Sequence, residues 1–446
     1  MMISSARDRI SYFYQHWFVR KAVTLQTGSF IGTFIQAFAG VVLARIFQPE
    51  NYGIYTLAFS IAGITSLFMG AGIQEASTVL LGESYAQKDE ERSREMMGFL
   101  MKMSLGGALI GLIFAAFAPA LALHWYGNAT IGWYATIIII ASAISSIWFS
   151  FVVIALQIAG EIRSMAVMMT TDQVLRVSLS VVFALISGNI LGALVGHLVG
   201  ALIMSIVSIQ VWRNLRRRYT IFPALRLLFQ LIKTVRIKKY FSFTLWTTVD
   251  RNLGSLYGIL PVLLTGLFVS ASGVTFFKLA FGYVNIAMSL LGPITTLLNV
   301  EFPRIKVENQ RQLADNFGRV TWYAVGLSTV LTACAILVAP FAFHILYGDN
   351  FQSSVPYVFG LFAYGAFYGL GVGLGPMWRA INQVRKSIII NLVTLGVGIP
   401  LGIWLISRFS LWGSVVMVTL WYTMSHLISF AYLRHALRKG SISSTM

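Results

Sequence analysis

Twelve apolar runs, each about as long as the hydrocarbon core of a bilayer is thick, divide this 446-residue chain. They lie near 22–45, 53–81, 98–122, 131–158, 164–186, 190–211, 241–268, 274–300, 320–345, 354–378, 387–406 and 411–433. Crossing roughly 30 Å of hydrocarbon at 1.5 Å per residue takes about 20 residues. Lipid offers no hydrogen-bond partner to a backbone N–H or C=O, so each run must satisfy its own backbone as a helix. No alternation of period two runs through the polar segments, which excludes a β-barrel. The expected fold class is all-α: a polytopic membrane protein of about twelve transmembrane helices.

Charge then sets the orientation. Only 11% of residues are charged, against about 25% in soluble proteins. The 33 Lys and Arg exceed the 15 Asp and Glu, giving a net charge of +18. Such a balance suggests nucleic acid until the basic residues are placed. With the N-terminus inside, 27 of the 33 fall on inner segments, and the outer loops contain Arg408 alone with Arg45 at a boundary. Arg213, Arg216, Arg217, Arg218, Arg226, Lys233, Arg236, Lys238 and Lys239 crowd one inner segment that has no acid. The positive-inside rule therefore predicts cytoplasmic termini, and nucleic-acid binding is not expected. No cleavable signal peptide is evident, and residues 4–20 are expected to lie along the inner interface. A single cysteine, Cys334, excludes an intramolecular disulfide.

The two halves repeat the same punctuation at an offset near 221. Ala118-Pro119, six residues and Tyr126-Gly127 recur as Ala339-Pro340, six residues and Tyr347-Gly348. Leu57-Ala58-Phe59 recurs as Leu279-Ala280-Phe281, Ile162-Arg163 as Val384-Arg385, and Trp212-Arg213 as Leu433-Arg434. Six spans per half give both copies the same topology, a parallel repeat of the kind that carries substrate between two rocking halves. The expected organisation is a six-helix lobe over 1–211, a basic cytoplasmic linker over 212–240, and a second six-helix lobe over 241–446.

Prolines interrupt mainly the second half, at Pro261, Pro293, Pro376 and Pro400. The stretch YGLGVGLGP places Gly369, Gly371, Gly373 and Gly375 before Pro376. Pro261, Gly371, Gly373, Gly375 and Pro376 are thus gate or hinge candidates. Close helix packing through small residues explains the glycines equally well.

Charges within lipid cost several kcal/mol unless they face a cavity or each other, which makes each a functional candidate. Asp172 and Arg176 stand four apart, acid first, so a self-satisfied structural pair competes with a cavity role. Asp250 and Arg251 are adjacent and point about 100° apart, so one of them needs a partner elsewhere or an aqueous cavity. Lys278 and Arg45 sit near outer span ends, within snorkelling reach. None of these charges recurs in the other half: Gly28 and Ser29 stand opposite Asp250 and Arg251, and Thr56 opposite Lys278. A cavity holding Arg251, Lys278, Arg45 and Arg176 is cationic and suits an anionic, phosphate-bearing substrate. Asp172, Asp250 and His426 are the candidates for a coupling proton or sodium ion, although a lone intramembrane His more often packs as a hydrogen-bonder.

No phosphate-binding G-x-x-x-x-G-K-[ST] loop and no metal-ligand spacing occur, so no cofactor is expected. The short outer loops carry Glu50 and Asp349 as their acids, little for a membrane-embedded glycan enzyme to work with. The chain is not expected to be an enzyme.

The first outer turn, ARIFQPENYGIYTLAF, with Arg45, Pro49, Glu50, Gly53, Tyr55 and Ala58, resembles the signature of the Wzx-type polysaccharide flippases of the multidrug/oligosaccharidyl-lipid/polysaccharide (MOP) superfamily. FFKLAF, Phe302-Pro303 and the LYGDNF turn of Leu346 to Phe351 extend the resemblance over nearly the whole chain. The second outer turn departs from the pattern, lacking a Gly aligned with Gly53 and carrying Gly273 two residues earlier. The resemblance implies movement of an undecaprenyl-pyrophosphate-linked oligosaccharide from the cytoplasmic to the outer leaflet of a bacterial inner membrane, with cavity cations meeting the pyrophosphate. Arg45 and Lys278 fall on matching stretches; Arg251 and Arg176 come from burial logic alone. It further implies a monomer that works with a polysaccharide polymerase and other glycan-assembly proteins, on an O-antigen, capsule or exopolysaccharide pathway. A cation-coupled drug antiporter of the same superfamily is the rival reading, and an enzyme of envelope glycan synthesis a more distant one.

Overall fold

A computed structural model describes residues 17–438 apart from 70, 220, 236 and 309. The interfacial stretch expected over 4–20 falls largely outside the described residues. Among those described there is no strand, and the chain runs through α1 (Trp17–Phe68), α2 (Ala71–Ala86), α3 (Glu90–Tyr126), α4 (Ala129–Ile158), α5 (Ile162–Ser187), α6 (Ile190–Arg218), α7 (Leu225–Thr234) and α8 (Lys238–Phe268). It continues through α9 (Ala271–Ser289), α10 (Gly292–Glu308), α11 (Gln310–Leu346), α12 (Val355–Gly360), α13 (Phe362–Tyr368), α14 (Leu374–Ala380) and α15 (Val384–Arg438). Among the described residues seven helices are long and apolar enough to cross a membrane, or up to nine if each of two bent pairs is one span.

The longest helices are pairs of spans joined by a tight turn. Within α1 the backbone leaves the helical region at Gln48 (φ 61°), and within α15 at Ser410 (φ 52°). Both breaks fall where the apolar runs are separated. Elsewhere a run expected to be continuous is divided. The run over 53–81 stops at Phe68 and resumes at Ala71, beside Gly107, whose missing Cβ leaves 2.8 Å to the Met69 carbonyl oxygen. The run over 274–300 breaks between α9 and α10 with a bend of 48°. Gly292-Pro293 opens α10, where proline's absent N–H costs nothing. The run over 354–378 becomes α12, α13, a 3₁₀ turn at Gly369–Gly371 and α14, with a bend of 54°.

Contacts divide the chain into two compact units. The first comprises 1–46, 65–121 and 132–248; the second comprises 47–64, 122–131 and 249–446. In the first, α5 and α6 form a hairpin through Gly188 (φ 66°), whose N–H donates to the Ala184 carbonyl. The hairpin closes tightly because Gly196 has no Cβ; one would lie 2.3 Å from the Leu179 carbonyl oxygen. At the other end of this unit Phe99, Phe151, Trp212, Phe222, Leu228 and Tyr240 form an aromatic and aliphatic core that ties α7 to α3, α4 and α6. Lys102 Nζ donates to the Val235 carbonyl at 2.9 Å.

In the second unit the glycine of the first outer turn has a steric explanation. A Cβ on Gly53 would lie 1.9 Å from the Ala271 carbonyl oxygen, so no larger residue fits. The same turn meets the LYGDNF segment, where Asn350 Nδ2 donates to Gln48 Oε1 at 2.7 Å. Around both units large apolar side chains face outward, Ile186 80% and Leu337 78% exposed, as suits contact with acyl chains.

Candidate functional site

A polar cavity of about 460 Å³ opens within the first unit, in the size range of ligand-binding clefts. Span spacing explains its walls. Ser142, Ser145, Ser146 and Ser150 recur at helical intervals and place a hydroxyl stripe on one side of α4. Asp172, Gln173 and Arg176 come from α5, His197 from α6 and Gln36 from α1.

Asp172 and Arg176 pair as their spacing predicts, and the pair lines this cavity. Arg176 Nε and Nη2 both lie 2.7 Å from Asp172 Oδ1, and Nη2 also donates to the Ser145 hydroxyl. Their side chains keep 11% and 16% exposure, so the ion pair is largely withdrawn from solvent yet reachable from the cavity. The two readings of the pair therefore merge: the charges satisfy each other and face the cavity together. A guanidinium held by one carboxylate oxygen and one hydroxyl can exchange those partners for the oxygens of a phosphate, because the fork geometry is the same.

A second, smaller cavity of about 230 Å³ lies within the second unit and contains His426. Gly371 and Gly375 line it, but the glycines differ in what they permit. A Cβ on Gly369 would lie 2.3 Å from the Ala324 carbonyl oxygen, and one on Gly371 would lie 2.6 Å from the His426 ring. These two allow close packing. Gly375 borders open space, with nothing within 4 Å of a Cβ. Gly373 is buried, as are Pro376 in α14 and Pro261 in α8.

The remaining candidates stand apart from both cavities. Arg45 is exposed on α1, Arg251 is exposed on α8, and Lys278 is half-buried on α9. The side chain of Asp250 lies outside the described residues. A third recess, bordered by Arg213, Arg216 and Arg217, marks the end of α6. Among the described residues no group of three or more His, Cys, Asp or Glu is placed to hold a metal ion.

The residues missed in the sequence are neutral: Ser145 and Gln173 in the first cavity, Tyr257, Asn391 and Ser425 in the second. A search for intramembrane charge passes over them. The serine period on α4 was the available signal.

Comparison with known proteins fixes the family. The family model described as "Polysaccharide biosynthesis protein" matches residues 42–356, more than half of the chain. The chain belongs to the polysaccharide biosynthesis protein family. No curated protein matches it in sequence. By fold, this family member is similar to an inward-facing multidrug resistance MATE family transporter of the MOP superfamily, with TM-score 0.74, 15% identity and coverage of 93% of this chain and 96% of that one. It is similar to the lipid II flippase MurJ in an inward closed conformation, with TM-score 0.70, 12% identity and coverage of 93% and 87%. A MOP superfamily transporter from Pyrococcus furiosus aligns at TM-score 0.63, 14% identity and 96% coverage of both chains. Identities this low show the fold. This polysaccharide biosynthesis protein thus shares the helical fold of those MOP superfamily transporters and of MurJ.

Proposed function

We propose that this protein moves an undecaprenyl-pyrophosphate-linked oligosaccharide from the cytoplasmic to the outer leaflet of a bacterial inner membrane by alternating access, for assembly of a cell-surface polysaccharide. The observation that carries the reading is the Asp172–Arg176 pair on the wall of a hydroxyl-lined cavity. Polysaccharide family membership supplies the glycan, and the arginine supplies a group suited to its pyrophosphate.

In this mechanism Arg176 exchanges the Asp172 carboxylate for a phosphate oxygen when the lipid head group enters. Asp172, released from its counterion, then takes up a proton or sodium ion, which links substrate movement to an ion gradient. Asp172 is the leading coupling site; His426 belongs to the other cavity, and Asp250 remains a candidate by position. Arg251, Lys278 and Arg45 are further phosphate contacts along the path, and the Pro261 and Gly371–Pro376 segments are its hinges. The six-helix lobes over 1–211 and 241–446, joined by the basic linker over 212–240, are the moving bodies, with both termini cytoplasmic. The protein acts as a monomer and passes its cargo to a polysaccharide polymerase.

Reconstitution tests this directly. Vesicles containing the protein expose a labelled lipid-linked glycan to an added lectin, and Arg176→Ala and Arg251→Ala each lower that rate, per folded molecule, at least about tenfold. Normal transport by both variants removes the phosphate-contact assignment. The drug-antiporter reading makes a different prediction, because a cation-binding cavity needs its carboxylate unpaired: efflux of a cationic dye then survives Arg176→Ala and fails in Asp172→Asn.

A further inference from the structure

The two cavities differ in chemistry. Asp172 and Arg176 line the first, whereas among the described residues no Asp, Glu, Lys or Arg lines the second. Its walls combine the aromatic side chains of Tyr257, Trp378 and Tyr422 with the neutral polar groups of Asn391, Ser425 and His426. At about 230 Å³ it falls below the roughly 300–1,000 Å³ of a drug-sized site, yet it offers several times the ~30 Å³ of one water.

The polar groups are held in place and only partly spent. Asn391 Oδ1 accepts from the Tyr257 hydroxyl at 3.3 Å and from Ser425 Oγ at 2.7 Å, which uses both of its lone pairs. The Asn391 amide nitrogen is thereby oriented as a donor, with Ser387 Oγ at a marginal 3.5 Å. His426 Nδ1 is buried without a hydrogen-bond partner. The rings are fixed as well: Tyr422 packs edge-on against Tyr257 at 5.4 Å and against His426 at 5.7 Å, and Trp378 stacks on Tyr432 at 5.5 Å. Gly254 and Gly375 keep the space open, since a Cβ on either would meet nothing within 4 Å.

We propose that this cavity of the second unit is a subsite for one uncharged sugar ring, with Trp378, Tyr257 and Tyr422 meeting its apolar C–H surface and Asn391 and His426 its hydroxyls. A pyranose presents just this combination, hydroxyl edges around apolar faces, and amphipathic aromatic rings beside fixed neutral hydrogen-bonding groups match both parts. Among the described lining residues a pyrophosphate finds no cation and a drug cation finds no carboxylate. A bare metal ion finds Asn391 Oδ1 already occupied. The inference rests on the lipid-linked glycan reading and deepens it by assigning a sugar of that cargo to a cavity of its own.

The test uses the purified full-length protein in nanodiscs, with saturation-transfer NMR to free neutral monosaccharides and to a uronic acid, and a separate binding assay with undecaprenyl pyrophosphate. The wild type transfers saturation to the ring protons of at least one neutral hexose and much less to the uronic acid. Gly375→Leu fills the open space without deleting a contact and weakens that binding by about tenfold, while binding of undecaprenyl pyrophosphate is unchanged. Asn391→Ala has the same effect where it folds. Equal sugar binding by Gly375→Leu overturns the subsite. So does a wild type that binds undecaprenyl pyrophosphate but no neutral sugar, an outcome that leaves the flippase reading standing. A wild type that binds neither ligand contradicts both.

Discussion

Gly200 on α6 lies directly against Arg176 on α5. A Cβ at position 200 would come within 2.9 Å of Arg176 Cα and 3.0 Å of its Cγ. The small residue on one helix therefore sets the position of the guanidinium on the other. Gly200→Ala is expected to push α5 away and misplace the arginine, at an overpacking cost of about 1–3 kcal/mol. The check is transport per folded molecule in reconstituted vesicles, which falls in Gly200→Ala and more so in Gly200→Val. A full rate in both means that the close approach does not matter to function.

The Asp172–Arg176 pair separates stability from transport through single and double substitutions. Removing one partner of a largely buried ion pair strands the other charge, a loss of roughly 3–5 kcal/mol. Asp172→Leu and Arg176→Leu alone are thus expected to lower the amount of folded protein in the membrane. The double variant restores abundance, since no charge is left unpaired, but transports nothing. Recovery of transport in the double variant shows that the pair is structural.

Ser410 occupies backbone space that glycine enters at little cost (φ 52°, ψ −130°). Ser410→Gly is expected to raise stability by about 1 kcal/mol, and Ser410→Val to lower it by a similar amount or more. Thermal denaturation followed by size-exclusion chromatography reads both shifts. The turn is tight because Gly413 sits 2.2 Å, by its absent Cβ, from the Leu405 carbonyl oxygen. Gly413→Ala should therefore be worse than Ser410→Val.

Much of this was legible in the sequence for one physical reason: lipid leaves the backbone no alternative to helix. The run boundaries at Gln48 and Ser410 were visible as short polar gaps. The pairing of Asp172 with Arg176 followed from a four-residue spacing. The breaks near Leu290 and Leu361 were harder to see. Gly292-Pro293 marks the first, but the glycines at 369–375 mix positions of close approach with one that borders open space, and only the neighbouring chains distinguish them. The cavity walls were least visible. A serine within an apolar run bonds back to its own helix as readily as it lines a pocket, as Ser205 does with the Ala201 carbonyl at 2.8 Å, so composition cannot sort the two.

Gly369 and Gly375 offer a contrast within one segment. The Cβ of Gly369→Ala meets backbone, at 2.3 Å from the Ala324 carbonyl oxygen, and nothing flexible yields to it. Gly375→Ala meets open space and gains helix propensity, up to about 1 kcal/mol. Folded yield by fluorescence-detection chromatography should drop for Gly369→Ala and hold or rise for Gly375→Ala. The reverse order contradicts the packing described for this segment.

The transbilayer location of the lipid-linked glycan tests the proposed function most directly. Cells depleted of this protein, then restored, are converted to spheroplasts and exposed to a glycan probe that cannot cross the inner membrane. Depletion is expected to trap the lipid-linked glycan on the cytoplasmic face, and restoration with wild type, but not Arg176→Ala, to expose it. Unchanged exposure on depletion, in cells with no second flippase, contradicts the account.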